Sequence, residues 1–365
     1  MTGVDIQVVK TVRGLETLGR DWNALSARFA TPVMDHDWSL AAACALNDES
    51  DLRVVVVRED GRVSGIAPTV VDRHLGGRLG VIGASTLHEP AGWLYASEQS
   101  MTTLVRAVVG LGHVCVLHRL AAHSDLCRQV PRLVRGRGVV VQRPAAPSLA
   151  VDATAGALAH HTRLSGRAVR KVKSMWTRSR RVHQAVSVTR LRPSAGEVPA
   201  LIDAFITIEG SGWKRRNGSA LSERPDLRAF FALYLAAAAV RGCAVVTTLW
   251  FDAAPAAMEL AVQVYGRHWT LKIGYDEALA TFGPGVLLTD ASIQAVFDES
   301  LDGYEFLGAA EPWQTRWAPD QREYQVTVLY PLTSKAMLTV LSDAARFVSR
   351  KMHIPPRGPV PRMVG

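Results

Sequence analysis

The chain has 365 residues, 48% hydrophobic and 21% charged, a balance that excludes a disordered or fibrous protein. Its length exceeds the size at which one core stops growing, so two domains are expected. The formal charge of +9 is local: between Asp152 and Glu197 stand ten Lys or Arg and no acid, leaving about −1 for the remainder, which argues against a nucleic-acid-binding surface over the whole chain.

Cys44, Cys115, Cys127 and Cys243 lack CxxC spacing, so neither a disulfide framework nor a zinc site is expected. No two histidines sit at i, i+4, and the adjacent His160 and His161 face different ways, so no metal is implied. No apolar run approaches the roughly 20 residues of a membrane span, and the start MTGVDIQVVKTVRG lacks a signal-peptide core. The expected compartment is therefore the cytoplasm. There is no GxSxG elbow and no Walker loop.

In chain order, IQVVKTV is a strand candidate, and Leu15, Leu18, Trp22 and Leu25 set the apolar stripe of a helix over 15–29. A second helix begins near Asp37. LRVVVVRED and RVSGIAPTVV form a hairpin about Gly61, with GRLGVIGA, HVCVLHRL and GVVVQRP as later strands. Residues 155–182 predict one basic helix whose stripe is Leu164, Ala168, Val172 and Met175. Then come strand QAVSVTRL, helix VPALIDAFITIEGSGW, a helix from Pro225 closed by Gly242, and three strands, CAVVTTLWF, AAMELAVQVY and HWTLKIGYD. Helix GVLLTDASIQAVFDES, strands YEFLGAA and EYQVTVLY, and helix SKAMLTVLSDAARFVSRKM complete the series. The Pro-rich tail from Pro355 is expected to be disordered.

Both halves run through helices, a strand meander, a helix and a further strand. The expected class is α/β with mixed sheets, two copies of one unit: 1–154, a basic linking helix over 155–183, 184–332, and a terminal helix and tail over 333–365.

The blocks DWNALSARFATPVMDHDW, IEGSGWKRRNGSAL, GYDEALATFGPGVLLTDASI and YEFLGAAEPWQTRWA resemble the CelD-like acetyltransferases, a GNAT branch associated with bacterial cellulose and exopolysaccharide genes. The resemblance spans roughly residues 15–330. In layout the chain is also similar to the Fem-type aminoacyltransferases. The resemblance implies a tandem GNAT-like fold, with acetyl-CoA or another acyl-CoA as donor at the second unit and an amine or hydroxyl as acceptor.

A diphosphate is held best by the amides and positive dipole end of a helix start. Phe282, Gly283, Pro284, Gly285, Val286 and Leu287 follow a strand and open a helix, with two glycines permitting close approach, although the usual GNAT loop opens with Arg or Gln and spaces its glycines differently. Transfer to an amine needs a base. Glu311 is the first candidate; Asp276, Glu209 and Glu305 follow. Tyr275 or Tyr304 could protonate the leaving thiolate. Trp213 and Lys214, with Arg215 and Arg216, form a loop suited to close over an acceptor, and Trp313, Arg316 and Trp317 a second aromatic and basic cluster for it. The expected partner is a small-molecule or saccharide acceptor. HEPAGWLYASEQS in the first half lacks a glycine pair, so that half is expected to have no donor site and to form one wall of the acceptor cleft.

Two other readings stay open. The basic run could contact the tRNA of an aminoacyl donor, or lie on anionic lipid in a non-catalytic module at a membrane surface.

Overall fold

A computed structural model describes residues 3–209 and 221–352. The first half runs β1 (Val4–Val9), α1 (Val12–Glu16), α2 (Gly19–Ser26), α3 (His36–Leu46), β2 (Val54–Glu59), β3 (Arg62–Ala67), β4 (Thr69–Asp72), β5 (Arg78–Val81), α4 (Ala84–Leu87), β6 (Leu94–Tyr95), α5 (Glu98–Gly110), β7 (Cys115–Ala121), α6 (Asp125–Leu133) and β8 (Gly138–Pro144). The rest runs β9 (Ser148–Asp152), α7 (Gly156–Arg163), α8 (Gly166–Val182), β10 (Val186–Leu191), α9 (Val198–Glu209), α10 (Pro225–Val240), β11 (Ala244–Phe251), β12 (Ala254–Val264), β13 (Arg267–Tyr275), α11 (Pro284–Asp298), β14 (Gly303–Glu305), β15 (Asp320–Arg322), β16 (Tyr324–Pro331) and α12 (Ser334–Met352).

Local chemistry accounts for the element ends. The hairpin β2–β3 turns at Asp60 and Gly61, both at positive φ (50° and 79°), the pairing of signs a two-residue hairpin loop prefers. Helix α10 opens with Pro225 and ends just before Gly242, at φ 69°. The single helix expected over 155–182 is two: Leu164 is extended, and the Ser165 hydroxyl accepts from the Ala168 amide to start α8 afresh. The helix expected over 15–29 likewise divides, into α1 and α2. The Pro-rich tail lies outside the described residues.

The two halves share a strand order. Pro68 divides one bent strand into β3 and β4, and the Leu52–Val70 bridge joins β4 to the end of β2. Read through that bridge, the first order is β1-β2-β3/β4-β5-β7-β16-β8, with the short β6 paired to β3, and the second is β10-β11-β12-β13-β14-β9-β15. Each has one parallel step around a crossover helix: β5 to β7 around α5, and β13 to β14 around α11. The penultimate strand of each comes from the other half. β16 lies between β7 and β8, and β9 pairs with both β14 and β15. The sheets therefore do not follow the expected units: β9, from 1–154, lies in the second, and β16, from 184–332, lies in the first.

This exchange is reinforced by packing. Trp38 of α3 meets Phe230 and Tyr234 of α10 edge-on, with centroids 4.9 and 5.0 Å away, inside one apolar cluster drawn from both halves.

Candidate active site

Strands β13 and β14 pair at only three positions, Arg267 with Gly303, His268 with Tyr304 and Trp269 with Glu305, before they part. Just past the last pair β13 carries a bulge, where Leu260 faces Lys272 and Ala261 faces Thr270. A bulge re-aims a strand, so the parallel pair opens there.

Alternation along the strands gives this opening two unlike faces. Toward α11 the side chains form a closed polar network about Glu259, which is fully buried. Its oxygens accept from Tyr304 (2.7 Å), Thr270 (2.8 Å) and Ser292 (2.5 Å), and His268 Nε2 lies at 3.3 Å. Burial raises a carboxyl, but here His268 and the hydroxyls outweigh it and hold Glu259 down to about 2. The same burial, with the Glu259 charge, drives the Tyr304 hydroxyl well above its usual range.

On the opposite face a cavity of about 310 Å³ lies between the halves. Arg267, Trp269, Glu305 and Leu307 form its floor from the second sheet. Pro90, Ala91, Gly92 and Trp93 line it from the first half. Arg267 and Arg322 both donate to Glu305 Oε1 (2.8 and 2.9 Å), and the Ser148 hydroxyl donates to that of Tyr324 (3.0 Å). Arg119, stacked over the Tyr324 ring at 4.8 Å, donates to the carbonyls of His88 (2.8 Å), Gly308 (2.6 Å) and Ala146 (3.2 Å). Backbone strain collects here: non-glycine residues Ala30, His88, Arg119 and Leu307 all have positive φ.

Beside that wall, Glu89 accepts from the Gly308 amide at 2.8 Å. Burial pushes its carboxyl up to about 7, against the pull of that amide and of Arg119.

The start of α11 is a thinner cradle than its glycines suggest. Gly283 takes the left-handed conformation (φ 66°), Pro284 has no amide hydrogen, and the Val286 and Leu287 amides both bond back to the Gly283 carbonyl (3.0 and 3.1 Å). Among the described residues this leaves the Gly285 amide as the unpaired donor at the tip. Leu287 is core. Phe282 lies under the Arg178 guanidinium at 5.5 Å, and Met175 of α8 packs on Gly283. The basic face of α8 therefore flanks the helix start and adds charge that the amides lack. In the first half the equivalent helix, α5, closes its own start with a capping box of Ser97 and Ser100.

The other expected site residues disperse. Tyr304 is in the core, its hydroxyl spent on Glu259, so the role expected for it at a leaving thiolate is out of reach. Tyr275 is half-buried with its ring against Gly285, next to the helix start. Asp276 accepts from the Ala278 amide (3.0 Å), which caps the turn before α11. Glu311 caps the turn that follows it and accepts from the Trp313 indole, at the exposed surface. Trp313 and Trp317 meet edge-on at 5.8 Å, with Arg316 over Trp317; Trp317 and Trp176 of α8 both donate to Asp290 (3.2 and 2.9 Å). This cluster packs against α11, and none of Trp313, Arg316 and Trp317 lines the 310 Å³ cavity. Glu209 is buried, 3.3 Å from Lys272, and accepts from the Leu221 amide. Trp213, Lys214, Arg215 and Arg216 lie outside the described residues.

Sequence reasoning placed the segment that holds Glu89 and Trp93 at the acceptor wall without naming either, and missed Arg119, Arg267 and Arg322. One signal was available: Arg119 is a lone cation near the end of the apolar strand HVCVLHRL, where only a set of waiting acceptors makes burial tolerable. Among the described residues no three His, Cys, Asp or Glu side chains gather as a metal site, and no helix is long and apolar enough to cross a membrane.

Comparison with known proteins agrees with this architecture. Residues 167–315, from the start of α8 to the turn after β14, match a family model described as an acetyltransferase (GNAT) domain. Over that span, less than half of its length, the chain is similar to such a domain, which supports a transferase. Among solved structures, the C-terminal domain of a putative lysylphosphatidylglycerol synthetase from Agrobacterium fabrum is 12% identical, with a TM-score of 0.57 over 91% of this chain and 96% of that one. L-PGS from Bacillus licheniformis is 10% identical (TM-score 0.55, 91% and 96% covered), and FemX 8% (0.56, 88% and 96%). At these identities the likeness is one of fold. No curated protein matches the sequence.

Proposed function

We propose that the chain is an acyl-CoA-dependent acyltransferase of the CelD-like kind, built of two GNAT-like units, with acetyl-CoA as its donor, acting in the cytoplasm on an amine or hydroxyl of a small-molecule, saccharide or envelope-related acceptor. One observation carries this reading: β13 and β14 part after three residues, with a helix start and basic helix beside one end of the opening and a cavity on its other face. The GNAT match over the same residues supports it.

On this reading the donor's diphosphate lies at the Gly285 amide beside α8, and the thioester reaches into the opening beyond Trp269 and Glu305. An acceptor in the cavity attacks the thioester carbonyl, the C–S bond breaks, and the thiolate takes up a proton as the acceptor loses one. Glu89 is the group suited to accept that proton: burial raises its carboxyl to about 7, it adjoins Pro90 of the cavity lining, and it accepts from the Gly308 amide. Glu311 and Tyr275 are the remaining candidates from sequence for the two proton transfers.

Titration of the purified chain with acetyl-CoA tests the donor. Binding in the parent and its loss in Gly285→Glu are expected; an absence of binding in the parent would sink the reading. Under turnover, Glu89→Gln should lower kcat far more than Glu311→Gln.

A second reading rests on α8. Arg167, Arg170, Lys171, Lys173, Arg178, Arg180 and Arg181 are all exposed, with no ion pair to an acid among the described residues. Such a row exceeds what one coenzyme needs and suits the backbone of an aminoacyl-tRNA. A gel shift with tRNA that weakens steeply with salt would favour it. Sedimentation with anionic vesicles and no activity on amines would favour the membrane-surface module.

A further inference from the structure

Two residues that line the cavity between the units each hold a buried donor without a partner. The Trp93 indole nitrogen, in a side chain 1% exposed, and Nη2 of Arg267 are both buried with no partner among the described residues, and both residues line the cavity. A donor left unpaired in this way is costly.

Charge points the same way. Three guanidinium groups, of Arg119, Arg267 and Arg322, line the cavity against one lining carboxylate, Glu305. Arg119 is spent on carbonyls, and Arg267 and Arg322 share a single oxygen of Glu305. Arg322 is the open member, its side chain 45% exposed. Most of the remaining wall is apolar, including Phe29, Met34, Trp93, Leu120, Trp269 and Leu307. Gly303 is required by this arrangement: a Cβ there would collide with Arg267 Nη2 and the Val151 carbonyl.

We propose that the cavity binds a small amphiphilic molecule with one oxyanion head, a carboxylate or phosphate ester, against Arg267 and Arg322, and an aromatic or aliphatic body against Trp93 and Trp269. Resting on the acyl-transfer reading above, this makes the acceptor an amphiphilic acid and not a neutral sugar. A guanidinium pair with oxygen acceptors supplies directional, charge-assisted bonds, and the tryptophans supply apolar area.

The test is calorimetry on the full chain without coenzyme, using 1-naphthylacetate, 1-naphthyl phosphate and the neutral 1-naphthylacetamide. At least one anion should bind roughly tenfold more tightly than the amide, the size expected of a charge-assisted pair, and the stronger of the two identifies the head. Arg322→Met should erase this preference while the chain still shows a cooperative urea transition, and Arg322→Lys should restore part of it. Equal binding of anions and amide, no binding of any probe, or an unaltered preference in Arg322→Met overturns the inference. Acetyl-CoA is titrated separately: its binding alongside a failed anion preference spares the acyl-transfer reading, and an anion preference without acetyl-CoA binding leaves a carboxylate or phosphate site and removes that reading.

Discussion

Arg119 Nη2 donates to the Gly308 carbonyl at 2.6 Å, joining a strand of the first unit to the backbone just beyond β14 of the second. With His88 and Ala146 as its other acceptors, one buried guanidinium ties three segments together at the edge of the cavity. Replacing it strands three carbonyls. Arg119→Met should therefore lower stability by about 3 kcal/mol, read from urea unfolding, since each buried acceptor left unpaired costs on the order of 1 kcal/mol or more. A loss near zero would mean that water replaces the guanidinium.

Glu89 should make stability depend on pH. Its carboxyl is raised from 4.5 to about 7, so the folded chain binds that proton more tightly than the unfolded one. The contribution is most favourable below the ordinary value and declines as pH rises toward 7, by up to about 3 kcal/mol at the limit. Glu89→Gln, which mimics the neutral form, should match its parent at pH 5 and exceed it at pH 8. Equal stability of the two at both pH values would count against the raised carboxyl.

The network around Glu259 is a different case. Glu259 is held low, so its contribution stands above the ordinary carboxyl range and is lost only as pH falls toward about 2. Glu259→Ala would leave Thr270, Ser292, Tyr304 and His268 without their shared acceptor, at a cost of about 3 to 5 kcal/mol. Denaturant unfolding at neutral pH checks this.

Gly303→Ala tests whether Arg267 depends on an absent side chain. The added methyl would collide with Nη2 and stand 2.5 Å from the Val151 carbonyl, so the guanidinium must leave its seat beside Glu305. The expected result is weaker binding of the anionic naphthyl probes, with acetyl-CoA affinity retained.

Arg178 separates the donor site from the cavity. Its guanidinium covers Phe282 at the start of α11, and Arg178→Glu should weaken acetyl-CoA roughly tenfold while sparing the cavity ligand. The coenzyme's affinity for the parent should fall as salt rises, because α8 is exposed.

Much of the fold was legible along the chain. VVVVRED and the Asp60–Gly61 turn specify a hairpin by composition, α10 is bracketed by Pro225 and Gly242, and the stripe Leu164, Ala168, Val172 and Met175 is the part-buried side of α8 and its junction with α7. The donor side of the site was legible for the same reason: the start of α11 is built from residues adjacent in sequence. Its weakness was not, because whether an amide is free depends on a carbonyl accepting from it, and Gly283 turns its own carbonyl back onto two of them.

By itself the sequence determined where most helices and strands lie, that the charge sits in one stretch, and that one α/β order recurs, since these follow from local propensity and spacing. Only the tertiary structure decided that each unit borrows a strand from the other, that Tyr304 is core, and that Glu89, Trp93, Arg119, Arg267 and Arg322 converge on one cavity or its wall. The physical reason is separation. Those five residues span more than two hundred positions of chain, and what unites them is strand register and burial, to which no stretch of neighbouring residues is sensitive.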